Sequence, residues 1–303
     1  MLPRIEILMA TYNGIAFLPK QLDSLIGQAH RNWRLTVHDD GSTDGTRELI
    51  GRYQRKDERI VLLDDRVTGL GAAANYLHLM RQVDGEYYMF CDQDDIWFAS
   101  KIAKMAHAIA DCVGPAAVYS DAYLYPIKGG TGQKSTVIHP SSVRNTLFFN
   151  SGIQGCAMIF NRQLMDILRP FPDKVAMHDH LVTMGAVAFG NLIHLDEVLM
   201  YYRQHESNAT GNQEIGALKK VFSFFSPSKP VIDRMHFDAN IFFYKRYCDL
   251  LDNRTKERFQ AYFQYASNRS LFRRLLILLQ NGFTLGDRRC VLFIKTLIRK
   301  PIG

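Results

Sequence analysis

Three carboxylates, Asp92, Asp94 and Asp95, close the run Tyr87–Trp97, where a short apolar stretch breaks off into Asp-Gln-Asp-Asp. The apolar part has the length of a buried strand, so the charge falls where a strand leaves a sheet. Asp-x-Asp in that place offers hard oxygen ligands in a compact turn, a donor set that holds Mg2+ or Mn2+ and, through the cation, a substrate phosphate. Asp94 is the leading candidate ligand. The same residues also suit a solvated loop with a helix N-cap, and their spacing alone leaves both readings open.

The elements that must position this turn read as βα units. Strands are expected at 4–10, 33–38, 60–64, 86–91 and 116–121, and helices at 17–29, 44–55, 70–83 and 98–112. Such alternation implies a mainly parallel sheet with helices on both faces. Polar turns, Thr11-Tyr12-Asn13-Gly14 and Asp39-Asp40-Gly41-Ser42-Thr43-Asp44-Gly45-Thr46, follow the first two strands and belong at the same carboxyl edge as the acidic turn. Asp39 and Asp44 also suit plain turn and cap roles. Residues 123–145, with Gly129, Gly130, Gly132 and Pro140, break the pattern. Beyond them, 153–160 reads as a strand, 176–189 as a helix and 192–202 as strand-rich.

With these three turns in this order, the chain resembles family 2 glycosyltransferases of the GT-A fold over roughly residues 4–205. Asp-Gln-Asp-Asp-Ile-Trp and Gly155-Cys156 are similar to the bacterial subgroup that includes rhamnosyltransferases of surface polysaccharide assembly. The resemblance implies a nucleotide-sugar donor site. Thr11, Tyr12 and Asn13 would wall its base pocket, Asp40 would accept from a pyrimidine N3–H, and Asp92 would face the ribose or reach the cation through water. Arg203 is a candidate for the diphosphate, or for a neighbouring carboxylate. His205, after the last core strand, matches a histidine that completes the cation's shell in many relatives. Asp179, in Met177-His178-Asp179-His180, matches the general base, which would take the acceptor's proton during inversion at the anomeric carbon. It also suits a helix N-terminal cap. Flanking His178 and His180 point to different sides of a helix and read as supporting groups.

Two departures stand out. Ala74 occupies a position where many members carry arginine, and the Gln-x-x-Arg-Trp motif of processive synthases is missing, which implies single addition. dTDP-L-rhamnose is the preferred donor by subgroup likeness, with a UDP-hexose as the alternative, and a lipid-linked or polysaccharide acceptor is expected. A metal-dependent phosphohydrolase using the Asp cluster and His-Asp-His is a reading from another class, disfavoured by Asp-Asp-Gly-Ser. A catalytically silent binding subunit is a third.

Composition narrows the setting. Five scattered cysteines without a Cys-x-x-Cys pair argue against a disulfide framework and a structural zinc site. The first residues run straight into a strand with no secretory pattern, so a cytoplasmic enzyme is expected. Residues 216–303 carry 17 Lys and Arg against 6 Asp and Glu, whereas 1–215 carry 20 against 24. A GT-A domain over 1–215 and a basic helical appendage over 216–303 are therefore expected. Apolar stretches between the appendage's arginines fit helices lying on an anionic membrane surface, or helices packed on their own domain. Nucleic acid is not an expected partner, because no recognition signature accompanies the charge.

Overall fold

The structure is a computed structural model that describes residues 3–125, 132–135, 138–150, 152–204, 226, 229–286 and 288–303. They pack as two compact units. The first comprises Met1–Val137, Ile153–Arg169 and Ile193–Gly211, and the second Ile138–Gly152, Pro170–Leu192 and Asn212–Gly303. Two segments that precede residue 215 thus pack with the basic C-terminal part.

In the first unit, strands β1 (Ile5–Thr11), β2 (Trp33–Asp39), β3 (Ile60–Leu62) and β4 (Tyr87–Cys91) are separated by helices α1 (Leu18–Ile26), α2 (Thr46–Gln54) and α3 (Ala72–Gln82). There follow β5 (Ile96–Trp97), α4 (Lys101–Ala110), β6 (Ala116–Tyr125), β7 (Met158–Asn161), α6 (Arg162–Leu168) and β8 (Asn191–Arg203), with α5 (Val143–Thr146) belonging to the second unit. The strands form one mixed sheet in the order β3-β2-β1-β4-β7-β6-β8-β5. Its first four members are parallel, while β7 runs antiparallel to β4 and to β6.

The apolar runs are buried on both faces, as parallel strands covered by crossover helices must be. Ile5, Ile7 and Met9 of β1 join Leu18, Leu22 and Leu25 of α1 and Ile102, Met105 and Ile109 of α4 in one core. On the opposite face Phe90 meets Tyr76 of α3 edge-on, with ring centroids 5.2 Å apart. At about 1.5–3 kcal/mol per buried large side chain, this packing outweighs any helix cap in fixing where α1 and α4 lie.

Register places the site. Thr11 pairs with Asp39, and Met9 with Cys91, so the turns after β1, β2 and β4 leave the sheet side by side. Differences from the expected elements are local. The strand expected over 153–160 begins only at Met158, because Gly155–Ala157 form a 3-10 turn. β5, inside the Asp-Gln-Asp-Asp-Ile-Trp run, and α6 are too short to show a periodicity.

The second unit is helical. It holds α5, α7 (His178–Phe189), α8 (Arg234–Tyr247), α9 (Asn253–Ser267), α10 (Leu271–Asn281) and α11 (Arg289–Ile298). Its core is aromatic: Phe148 lies edge-on to Tyr262, Tyr265 and Phe283, and Phe189 meets Phe243 and Tyr247. Asp233, Asp252 and Ser270 cap the starts of α8, α9 and α10. Among the described residues no helix is long and apolar enough to cross a membrane.

Candidate active site

Side-chain bonds between distant turns build the carboxyl edge of the first unit. Thr11 Oγ1 donates to Asp39 Oδ2 at 2.8 Å, and Asp39 also accepts from the backbone N–H and hydroxyl of Ser42. Asn13, at φ 47°, ties the first turn to the second: its N–H donates to Ser42 Oγ, and its side-chain oxygen accepts from the N–H of Thr43. Tyr12 is exposed, and its N–H and carbonyl are both bonded by the Gln93 amide at 3.0 Å. Gly14 leaves room for that amide, since a Cβ there would lie 2.2 Å from Gln93 Oε1 and displace the Gln93 side chain.

Asp40 is buried at the same edge. Its two oxygens accept the N–H groups of Leu70 and Gly71, each at 2.8 Å, which fixes the turn into α3. Each carboxylate oxygen retains a second lone pair for a further donor.

The acidic turn is layered. Asp92 Oδ1 accepts from the Tyr76 hydroxyl at 2.8 Å, and burial together with the charge of Asp94 pushes its carboxyl up to about 6. Asp95 is fully buried and accepts the backbone N–H of Arg203 at 3.1 Å; burial, then the charges of Asp94 and Asp92, push it well above the ordinary range. Arg203 Nε donates to the Asp94 carbonyl at 2.7 Å. Its guanidinium lies about equally far from the rings of Phe17 and Tyr125, at 5.0 and 4.9 Å. Arg203 is itself 6% exposed, so its visible work is to hold the backbone of the turn.

Beneath lies a residue the sequence reading missed. Lys101 is wholly buried; its ammonium donates to the Cys156 carbonyl and lies 4.0 Å from the centroid of the Trp97 ring. Burial pulls it down to about 8, against the opposing pull of nearby acidic groups. The available signal was its place on the apolar stripe Lys101, Ile102, Met105, Ala106, Ile109, where a lysine needs a reason. Gln93 and Tyr76 carried no comparable signal.

The site residues expected from sequence therefore gather, in part, on one edge: Thr11, Tyr12, Asn13, Asp40, Asp92, Asp94 and Arg203 all belong to the first unit. Asp179 belongs to the second unit, and His205 lies outside the described residues. At the start of α7, Asp179 Oδ1 accepts the N–H of His180 at 2.6 Å. Gly152 abuts this point; a Cβ there would fall 2.6 Å from His180 N. His178 and His180 are buried, and burial brings both down to about 3, so both are neutral at ordinary pH.

A hard divalent cation fits the acidic turn. The carboxylates of Asp92 and Asp94 would supply oxygen, and a bound cation would offset both causes of the rise of Asp92, its burial first and then the charge of Asp94. Asp95 and Cys156 also converge on Asp92. Burial first, then the charges of Asp95 and Asp92, push the Cys156 thiol well up, so it is neutral and suits packing better than ligation.

Comparison with known proteins gives these resemblances. The family model described as glycosyl transferase family 2 matches residues 6–167. The chain is 27% identical over 241 residues to the putative teichuronic acid biosynthesis glycosyltransferase TuaG of Bacillus subtilis, covering 78% of this chain and 90% of that protein. It is 29% identical over 220 residues to the dTDP-rhamnosyl transferase RfbG of Shigella flexneri, covering 67% and 73%. Among solved structures, S. aureus TarS 1-349 in complex with UDP-GlcNAc superposes with a TM-score of 0.59 at 16% identity, over 92% of this chain and 80% of that one. The mannosyltransferase PcManGT from Pyrobaculum calidifontis, in complex with GDP-Man and Mn2+, gives 0.55 at 18% identity, over 98% and 85%. The fold is GT-A, an α/β sheet with flanking helices and further C-terminal helices.

Proposed function

The chain belongs to glycosyl transferase family 2, and we propose that it is an inverting, metal-dependent enzyme that moves one sugar from a nucleoside diphosphate to a lipid-linked or polysaccharide acceptor. The observation that carries this reading is the alignment of three polar strand ends on one sheet edge, with Asp92 and Asp94 at the third. Thr11, Tyr12, Asn13 and Asp40 form the base side of the donor pocket. Asp92 faces the ribose, and Asp94 is the principal ligand of Mn2+ or Mg2+, with His205 as a second. When bound, the cation neutralises charge that develops on the leaving diphosphate. Arg203 adds positive charge behind the Asp94 carbonyl, and Lys101 offsets the buried carboxylates from below. Asp179 takes the acceptor proton.

dTDP-L-rhamnose is the preferred donor, supported by the likeness to a protein named a dTDP-rhamnosyl transferase. A UDP-hexose is the alternative, supported by the 26% identity to an Escherichia coli protein named a UDP-Glc-dependent glucosyltransferase. Thermal-shift screening of nucleotide-sugars with each cation separates them, because a ligand bound only by the native state raises its stability. The expected result is a cation-dependent rise of several degrees with dTDP-L-rhamnose that exceeds the rise with UDP-glucose. Phosphate release without any acceptor alcohol would mark a phosphohydrolase instead.

We place the enzyme in the cytoplasm, with an anionic membrane surface as partner of its C-terminal helices. The support is the reversed polarity of α10: Arg274 and Leu278 are buried, whereas Phe272 and Leu279 are 75% and 64% exposed. Leu297 of α11 is also exposed, as are Arg273, Arg288 and Lys300. An outward apolar stripe beside basic residues matches an interfacial helix. Because Arg274 is buried, the test reverses only Arg273, Arg288 and Lys300 to glutamate. This variant should lose sedimentation with phosphatidylglycerol vesicles, at about 1 kcal/mol per charge, and keep activity on a short soluble acceptor. Unchanged vesicle binding rejects the electrostatic part, and a concentration-dependent dimer would assign the stripe to a second copy.

A further inference from the structure

A second group of potential ligands lies in the first unit, on residues that the glycosyl-transfer reading does not use. His38 of β2, Asp65 after β3 and His78 of α3 converge so that one ligand atom from each lies within 4.8 Å of the others. The hydrogen bonds around His38 fix its tautomer. The Asn75 side-chain nitrogen faces the His38 carbonyl at 3.4 Å, which turns the Asn75 oxygen toward His38 Nδ1 at 2.8 Å. Nδ1 therefore carries the proton, and in the neutral ring Nε2 presents a lone pair. That lone pair faces Asp65 Oδ1, another acceptor, at 3.3 Å. A second proton on Nε2, making an ion pair with Asp65, or a bound cation completes this contact, and the approach of a second imidazole to the same carboxylate favours the cation. His78 Nε2 reaches the other oxygen of the same carboxylate at 2.5 Å.

The backbone holds Asp65 in this position at a cost. Arg66, the next residue, sits at φ 61°, a left-handed conformation that non-glycine residues rarely adopt and that concentrates at ligand clamps. Asp65 Oδ1 also accepts the Val67 N–H at 3.1 Å, so the loop closes on the carboxylate. Tetrahedral bonds of about 2.0–2.2 Å place neighbouring ligand atoms roughly 3.3 Å apart, which is the His38–Asp65 separation. His78 meets the other oxygen of that carboxylate, and with one ligand atom from each residue all separations stay within 4.8 Å, so modest side-chain rotation closes the set around one ion. Asp65 and His78 are 31% and 16% exposed, leaving an approach for the ion and for a water as fourth ligand.

We propose that His38, Asp65 and His78 form a second cation site, selective for a zinc-like divalent metal. Two imidazoles and one carboxylate favour Zn2+ or Co2+ over the Mg2+ or Mn2+ expected at the all-oxygen acidic turn. Asn75 sets the tautomer of His38, as the outer hydrogen bond of a ligating histidine commonly does. Occupancy pins the loop that leads from β3 to Leu70 and Gly71, whose N–H groups rest on Asp40. This site does not depend on which sugar, or any sugar, is transferred.

The test uses the tag-free full chain, stripped with a chelator and titrated with Co2+. One equivalent should give the intense visible absorption of four-coordinate cobalt, bleach on addition of Zn2+, and raise the melting temperature. The partly exposed positions allow variants that keep the fold: His78→Gln and Asp65→Ala should each weaken binding by about 100-fold or more, beyond the range for an outer partner. Asp94→Asn should retain the band, which separates this site from the acidic turn. Only the weak absorption of six-coordinate cobalt, or a band unchanged in His78→Gln, would overturn the proposal.

Discussion

Asp94→Asn is expected to remove nearly all sugar transfer, by about 10²–10³-fold or more, the scale for losing a group that stabilises charge in the transition state. The substitution keeps the shape of the turn. Arg203 bonds the Asp94 backbone carbonyl, and Asp95 holds the Arg203 N–H, so neither contact needs the Asp94 carboxylate. The loss should therefore be chemical rather than conformational, with an unchanged melting temperature in the absence of cation. Nucleotide binding measured calorimetrically should become insensitive to Mn2+. Full activity in the variant, or undiminished turnover of the native enzyme in excess chelator, would remove the cation from the reaction.

Asp179→Asn should divide binding from chemistry. Its Oδ1 accepts the adjacent His180 N–H, a bond that the asparagine oxygen reproduces, so the start of α7 should hold. What the amide cannot do is take a proton. Turnover should fall on the order of 10²-fold or more while donor affinity stays nearly constant. Parallel losses in donor affinity and turnover would mark Asp179 as a structural cap. A pH–rate profile adds a check, because an acidic limb seen in the native enzyme and abolished in the variant identifies the group that must be ionised.

The turns were legible in the sequence because each joins an apolar strand to polar residues that serve no core. Thr11, Asn13, Asp40, Asp92 and Asp94 could be placed on one edge by topology alone. What escaped depends on contacts far apart in the chain. Asp40 meets Leu70 and Gly71 some 30 positions away, and Lys101 reaches Cys156 across 55. The stacked surroundings of Arg203 draw on Phe17 and Tyr125, which no local pattern connects. Charge counting described the C-terminal region but not which of its arginines turn inward. Arg274 is buried despite its charge, whereas Phe272, two positions before it, is exposed.

The interleaving of the two units has a consequence for how a ribosome makes this protein. The acidic turn emerges early, yet the Arg203 N–H that holds Asp95 follows 108 positions later. Between them come Ile138–Gly152 and Pro170–Leu192, whose companions in the second unit are translated last. Phe148 waits for Tyr262 and Tyr265, on the order of ten seconds at ordinary elongation rates. Throughout that interval an aromatic segment lacks its partners on the nascent chain, and until Gly211 is made the first unit is incomplete as well. Chaperone capture is thus most useful after synthesis of α7 and before α9, when a stalled ribosome would present the second unit's aromatic segments without their partners.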